Sequence, residues 1–396
     1  MGKLLFEDDY GFNINSIPVK GEGGLLYFIK KGEISLDEMI EFGLSQQKII
    51  EIKEHLDNEK KEKSNRINAT AIYNQIKNNE LDVIDIRELI LEGKLSEAGL
   101  AENTDIKGPI FNTIKNYIKR ETPFNTWSDS PPLADNRTDL YFLGSPGSGK
   151  SCILASIFLY ASKNGLIIES QINPEGNYYR NLLTEELNYG ILPNCAPSID
   201  PYIPIDLAEN YNDEKEHPLN FIEMSVVLFD QAYSGGISDK YLKAKNYFSN
   251  KNRKLIFFVI DFDHRFESDP KLIIYKQSEM INTLSLIDSF GTFKKTDHIY
   301  IIVSKSDLFP NNVNKLTYAE KFLNKYYKNF LVKCRILKKK YKNSFDLTIL
   351  PYTIGEIKYK RLLTRFDEGN TIELLNSIYY NSNQQGKKPW YKKLFS

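Results

Sequence analysis

Residues 140–152, LYFLGSPGSGKSC, set four apolar residues against a loop of small ones that closes on a lysine and a serine. Gly144, Gly149, Lys150 and Ser151 fill the fixed positions of G-x-x-x-x-G-K-[ST], between a strand-like run and the helical pattern CILASIFLYASKNG. Glycines let main-chain N–H groups turn inward around phosphate oxygens, and the start of a helix adds the positive end of its dipole. Ser145, Pro146, Gly147 and Ser148 complete the loop, with Cys152 following in the first helical turn. The Lys150 ammonium would neutralise β and γ phosphates, and the Ser151 hydroxyl is the hard oxygen that Mg²⁺ takes as a ligand. A nucleoside di- or triphosphate is the expected occupant, in preference to a glycine turn that binds nothing.

Such a loop needs a sheet edge to carry it. Beyond residue 139 the runs LYFL, LNFIEM, KLIFFVID, HIYIIVS and DLTILPY alternate with helical patterns. That order predicts an α/β fold with a doubly wound, mostly parallel sheet covered by helices on both faces. Residues 1–130 read as a mainly α-helical N-terminal domain, with Ile49, Ile52 and Leu56, then Ile72 and Ile76, at helical spacing. Between them DNEKKEKSNR reads as a solvated charge run separating short helices. Three segments, FIKKGEISLDEMI, QIKNNELDVIDI and LILEGKLSEAGL, echo one another as helical hairpins would, or by coincidence among amphipathic helices. The turn-rich ETPFNTWSDSPPLADNRTD, residues 121–139, marks the boundary. Residues 131–380 then form the nucleotide-binding domain, and 381–396 a basic, aromatic tail.

Lys plus Arg equals Asp plus Glu at 52 each in the 396 residues, so no global charge calls for nucleic acid, and none is expected as a partner. No apolar run reaches the roughly 18 residues of a membrane span. The opening MGKLLFEDDYG turns acidic at once, so no targeting leader is expected. Cys152, Cys195 and Cys334 fit no metal-ligand spacing and read as reduced thiols of a cytoplasmic protein. The terminal KKPWYKKLF, with Trp390, reads as a solvated tail in preference to one that touches an anionic membrane.

HIYIIVSKSDLF, residues 298–309, is a buried-strand pattern followed by Ser304, Lys305, Ser306 and Asp307. With the phosphate loop upstream, this resembles the [NT]KxD motif of Ras-like GTPases of the TRAFAC class of P-loop NTPases. The resemblance implies that Asp307 accepts hydrogen bonds from guanine N1–H and the 2-amino group, and that Lys305 lies along the base plane. It implies too that Thr353, Ile354 and Gly355, after the next strand, cradle the base through their amides. The metal-proximal D-x-x-G strand of that family is matched by LNFIEMSVV, with Glu223 at the Asp position and Val226 and Val227 where a glycine and a water-orienting residue are expected. Ser198 stands as a candidate second Mg²⁺ ligand, and Arg180 as a candidate arginine finger against the plainer reading of an exposed helix arginine. Gly235 and Gly236 offer either a switch loop or an ordinary turn. The extra helical domain, the insert before the first switch and the Glu-Met-Ser strand look most like bacterial GTPases of GTPase-associated conflict or signalling systems.

The resemblance implies a GTP/GDP- and Mg²⁺-binding switch, with slow or partner-dependent hydrolysis because a β-branched Val restricts the hinge and Val227 cannot orient water. Protein partners would read the switch loops or the helical domain. Two other readings stay open: a nucleotide-binding scaffold that hydrolyses nothing, and an ATPase in which Asp261 or Asp263 acts near the metal and SKSD is a plain strand end.

Overall fold

The structure, a computed structural model, describes residues 19, 24–30, 32, 35–41, 43–117, 132–170, 172–193, 202–209, 216–225, 239–262, 269–342 and 344–382. Ser198, Val226, Val227, Gly235, Gly236, Asp263, Cys195 and the tail from 383 lie outside the described residues.

Strand β1, Thr138–Gly144, is buried along its whole length, as a strand covered on both faces must be. Around it β2 (Ile167–Glu169), β3 (Tyr202–Ala208), β4 (Glu216–Ser225), β5 (Arg253–Asp261), β6 (Thr296–Ser304) and β7 (Asp346–Pro351) complete a seven-stranded sheet. The order is β2-β3-β4-β1-β5-β6-β7. Strands β4, β1, β5, β6 and β7 run parallel, and β3 alone reverses, pairing antiparallel with both β4 and β2. The α/β, mostly parallel sheet read from the sequence is therefore the fold, with β1 at its centre. LYFL, LNFIEM, KLIFFVID and HIYIIVS fall in strands, and DLTILPY does so as far as Pro351.

Alternation along the central strands fills two cores. Tyr141 and Leu143 face a layer that includes Phe248, Met280, Leu284, Phe322 and Phe330 from helices Asp239–Ser249, Pro270–Ser289, Lys315–Tyr326 and Lys328–Lys340. Leu140 and Phe142 face Phe158, Leu183 and Leu375 from helices Lys150–Lys163, Pro174–Asn188 and Gly369–Ser382. The sheet is doubly wound.

Strand β3 was not legible, because Pro204 and the prolines that precede the strand make the segment read as loop. Pro204 is tolerated there because β2 pairs only with Ile205, Asp206 and Leu207, so the missing N–H falls beyond the β2 ladder. A hairpin of β8 (Gly355–Lys358) and β9 (Leu362–Phe366) follows β7.

The chain divides into two compact units, Met1–Glu80 with Glu88–Lys107, and Leu81–Arg87 with Gly108–Ser396. In the first, Leu25, Leu26, Met39, Leu44 and Ile52 make a small core. The charge run expected to separate short helices lies instead inside one continuous helix, Gln46–Lys77, capped by Ser45, whose hydroxyl accepts from the Lys48 N–H. Glu and Lys are good helix formers, and neither Gly nor Pro interrupts the run.

Candidate nucleotide-binding site

The last residue of β1, Gly144, is a glycine because nothing larger fits. A Cβ there would lie 2.5 Å from both the Val259 carbonyl and the Ser148 hydroxyl. The loop then turns through Gly147 at φ +76° and Gly149 at φ +96°, left-handed conformations that glycine adopts without strain. Gly149 caps helix Lys150–Lys163. Within the loop the Ser148 N–H donates to the Ser145 carbonyl at 3.1 Å. The Lys150 ammonium folds back over the loop, donating to the carbonyls of Gly144 at 2.9 Å and Ser145 at 3.2 Å. Cys152 is half-buried in the first turn and is not in a disulfide.

Two strands away, β6 delivers the second motif to the same rim, since β1, β5 and β6 are parallel. Its last residue, Ser304, donates its hydroxyl to the Ser148 carbonyl at 2.6 Å, joining the two motifs directly. Lys305 then takes a left-handed φ of +60°, which turns the chain sharply out of the strand. Asp307 follows, with its Oδ1 accepting from the Thr353 hydroxyl at 3.0 Å. Thr353 is fixed in turn by the Gly355 N–H on its hydroxyl at 3.2 Å and by its own N–H on Asn370 Oδ1 at 3.0 Å. The Ile354 carbonyl accepts from the Asp367 N–H at 2.9 Å, which ties this loop to the end of β9. Asp307 itself is exposed.

Strand β4, paired to β1 on the other side, carries Glu223 toward Ser151. The Ser151 hydroxyl donates to Glu223 Oε1 at 2.6 Å, and the Tyr179 phenol donates to Oε2 at 3.1 Å. Burial raises the Glu223 carboxyl above the ordinary range, opposed by the nearby Lys150 charge and these two hydrogen bonds. A buried carboxylate that desolvation makes costly is one that a cation would stabilise, and both donors are the hard oxygens that Mg²⁺ prefers. Ser151 and Glu223 therefore fit a Mg²⁺ ion. No group of three or more His, Cys, Asp or Glu gathers among the described residues, so phosphate and water would have to complete its shell.

Arg180 is buried at 3% exposure, which overturns the reading of an exposed helix arginine. Its guanidinium donates to the side chain of the next residue, Asn181, at 2.8 and 3.2 Å. Those bonds lie within its own helix and give the arginine-finger role no support. Asp261, the acid of the ATPase reading, accepts from Lys276 at 2.9 Å and pairs with Lys305 at 3.4 Å, while the partner of Ser151 is Glu223.

Three contributors escaped the sequence. Tyr179 reaches Glu223 from helix Pro174–Asn188. Glu279, 3% exposed, accepts from the Ser145 hydroxyl at 2.9 Å and so fastens the phosphate loop. Lys276 joins Lys305 on Asp261. Lys276, Glu279 and Thr283 share the inward stripe of helix Pro270–Ser289 with Met280 and Leu284, and polar residues on an apolar stripe were the available signal.

No family model and no curated protein matches the chain. Solved structures that resemble it include the signal recognition particle receptor SRb-GTP/SRX complex of Chaetomium thermophilum, 12% identical, covering 58% of this chain and all of that one, TM-score 0.34. Toc33 of Arabidopsis thaliana is 13% identical, covering 64% and 87%, TM-score 0.35. A putative nucleolar GTP-binding protein of Plasmodium falciparum is 14% identical, covering 64% and 93%, TM-score 0.30. Likenesses this loose carry no weight of their own.

Proposed function

We propose that the chain binds a guanine nucleotide with Mg²⁺ at the C-terminal rim of β1, β5 and β6. The observation that carries the proposal is the bond from Ser304 to the Ser148 carbonyl, which locks the phosphate loop to the strand that presents Asp307. Parallel strands lie about 4.8 Å apart, so β1 and β6 are roughly 10 Å from each other, a span that the ribose of one nucleotide bridges. In this reading Lys150 exchanges two carbonyl partners for phosphate oxygens. Ser151 and Glu223 hold Mg²⁺, whose positive charge offsets that of the phosphates. Asp307, oriented by Thr353, accepts the guanine donors, and the stem of Lys305 lies along the base while Asp261 holds its ammonium.

Hydrolysis in this reading is slow, on the sequence evidence of Val226 and Val227. The switch role, protein partners that read the loops after Leu192 and after β4, and kinship with bacterial GTPases of conflict or signalling systems belong to the same proposal. The last rests on the extra helical domain, the insert before the first switch and the Glu-Met-Ser strand. A cytoplasmic setting is supported by Cys152 and Cys334, neither of which is in a disulfide.

Thermal unfolding in Mg²⁺ tests the proposal, because a ligand bound only by the native state raises the midpoint. GDP is expected to stabilise the protein and ADP to do so far less. Equal stabilisation by both, or by neither, overturns the guanine assignment.

A further inference from the structure

The metal side of the site holds a group that neither motif contains. Tyr179 sits one turn into helix Pro174–Asn188, with its ring buried at 1% exposure. Its phenol donates to Glu223 Oε2 at 3.1 Å while Ser151 donates to Oε1 at 2.6 Å. Each carboxylate oxygen therefore has its own donor, one from the phosphate-loop helix and one from helix Pro174–Asn188.

Helix Pro174–Asn188 is itself held at both ends. At its start, Asn173 Nδ2 donates to the Tyr202 carbonyl at 2.6 Å, and Gly176 packs so closely that a Cβ would lie 2.1 Å from the same oxygen. Near its end, the Tyr117 hydroxyl donates to Glu186 Oε1 at 3.2 Å. Leu182, Leu183 and Leu187 fill the core between. The phenol is thus held against Glu223, with the Ser151 hydroxyl also beside it.

We propose that Tyr179 is a positioning residue for the divalent cation of the nucleotide complex. By holding Oε2, the phenol sets the plane of the Glu223 carboxylate and leaves Oε1 aimed at Ser151, the pair of oxygens a Mg²⁺ ion would share. The proposal rests on the nucleotide-binding reading above and extends it to a residue outside both motifs. Without the phenolic O–H, Oε2 keeps its burial but loses its donor, and the carboxylate can turn away from Ser151. The phosphate loop and the base end do not contain Tyr179, so the deficit should appear in what Mg²⁺ adds to nucleotide affinity.

The test is displacement of a fluorescent GDP analogue by GDP from the full chain, in Mg²⁺ and in EDTA, for wild type and Tyr179→Phe. The readout is the ratio of the two affinities. Loss of one hydrogen bond to a charged group should shrink that ratio about tenfold or more. In a Glu223→Gln background the same substitution should change the ratio much less, because the charged acceptor is gone. An unchanged ratio in Tyr179→Phe overturns the proposal and leaves the nucleotide site standing. So does a fall of both affinities by one common factor, which is what lost support from the helix alone would give. Failure of wild type to bind GDP in either condition overturns the nucleotide reading itself.

Discussion

Replacing Asp307 by Asn removes one charge and converts one acceptor into a donor at the base end of the site. Oδ1 is already engaged by Thr353 at 3.0 Å, so the carboxylate is oriented before any base arrives, and the Asn amide should present its NH₂ on the side facing the base. Guanine offers only donors on that edge, N1–H and the 2-amino group, and two donors would then face each other. A hydrogen bond to a charged acceptor is worth about 1.5–3 kcal/mol when desolvated. Asp307 is exposed, and solvent discounts the pair to roughly 2–3 kcal/mol together. That corresponds to a roughly 30- to 150-fold loss of GDP affinity. Xanthine has an oxo group in place of the 2-amino group, so the Asn NH₂ gains an acceptor and the affinity for xanthosine diphosphate should rise. Competition of GDP and xanthosine diphosphate against one fluorescent analogue reads both changes at once. If the preference ratio is the same in wild type and Asp307→Asn, Asp307 does not touch the base and the assignment of the SKSD segment is wrong.

Gly176→Ala should force helix Pro174–Asn188 away from Tyr202, since its Cβ would otherwise lie 2.1 Å from a carbonyl; a cost of about 1–3 kcal/mol is expected from overpacking, and an unchanged unfolding midpoint would contradict the packing described. Burial pushes the Cys334 thiol up to about 12, so at pH 8 a thiol reagent should spare it until the protein unfolds and should reach the half-buried Cys152 first; peptide mapping that finds Cys334 labelled in native protein refutes its burial. Lys254 donates to the carbonyls of Asn250 and Asn252 at 3.0 and 2.7 Å, yet burial pulls its pKa down to about 8 against the opposing pull of Asp139. Below pH 8 it is charged in both states and its burial cost is fully present; between pH 8 and about 10.4 the unfolded chain binds the extra proton, so stability from this group rises with pH. Denaturant titrations at pH 7.5 and 10 should show wild type gaining about 2 kcal/mol relative to Lys254→Met, and a flat difference would contradict the depressed pKa.

The two motifs were legible because each is contiguous. Residues 144–151 and 304–307 carry their chemistry in neighbouring positions, and strand periodicity sufficed to put both at the ends of parallel strands. Glu223 was legible only through the resemblance, which matches LNFIEM to the metal-proximal strand; the structure then pairs that strand with β1 and the acid with Ser151. Tyr179 and Glu279 were hidden because they arrive from helices remote in the sequence, and helical spacing alone cannot separate an aromatic that packs from one that also donates. Strand β3 was masked by Pro204 and the prolines that precede it, and the burial of Arg180 depends on a helix face that its polar neighbours Asn177, Asn181 and Glu185 obscure. The long helix Gln46–Lys77 was missed because a charge run was read as a break, although residues with good helix propensity need no apolar stripe to continue a helix already begun.

The central claim is that one guanine nucleotide spans the phosphate loop and Asp307. Isothermal titration of GDP and ADP into the protein in Mg²⁺ tests it most directly. One site per chain with GDP bound at least tenfold more tightly than ADP is the predicted result. ADP bound as tightly as GDP, or no heat and no competition from either, would contradict it.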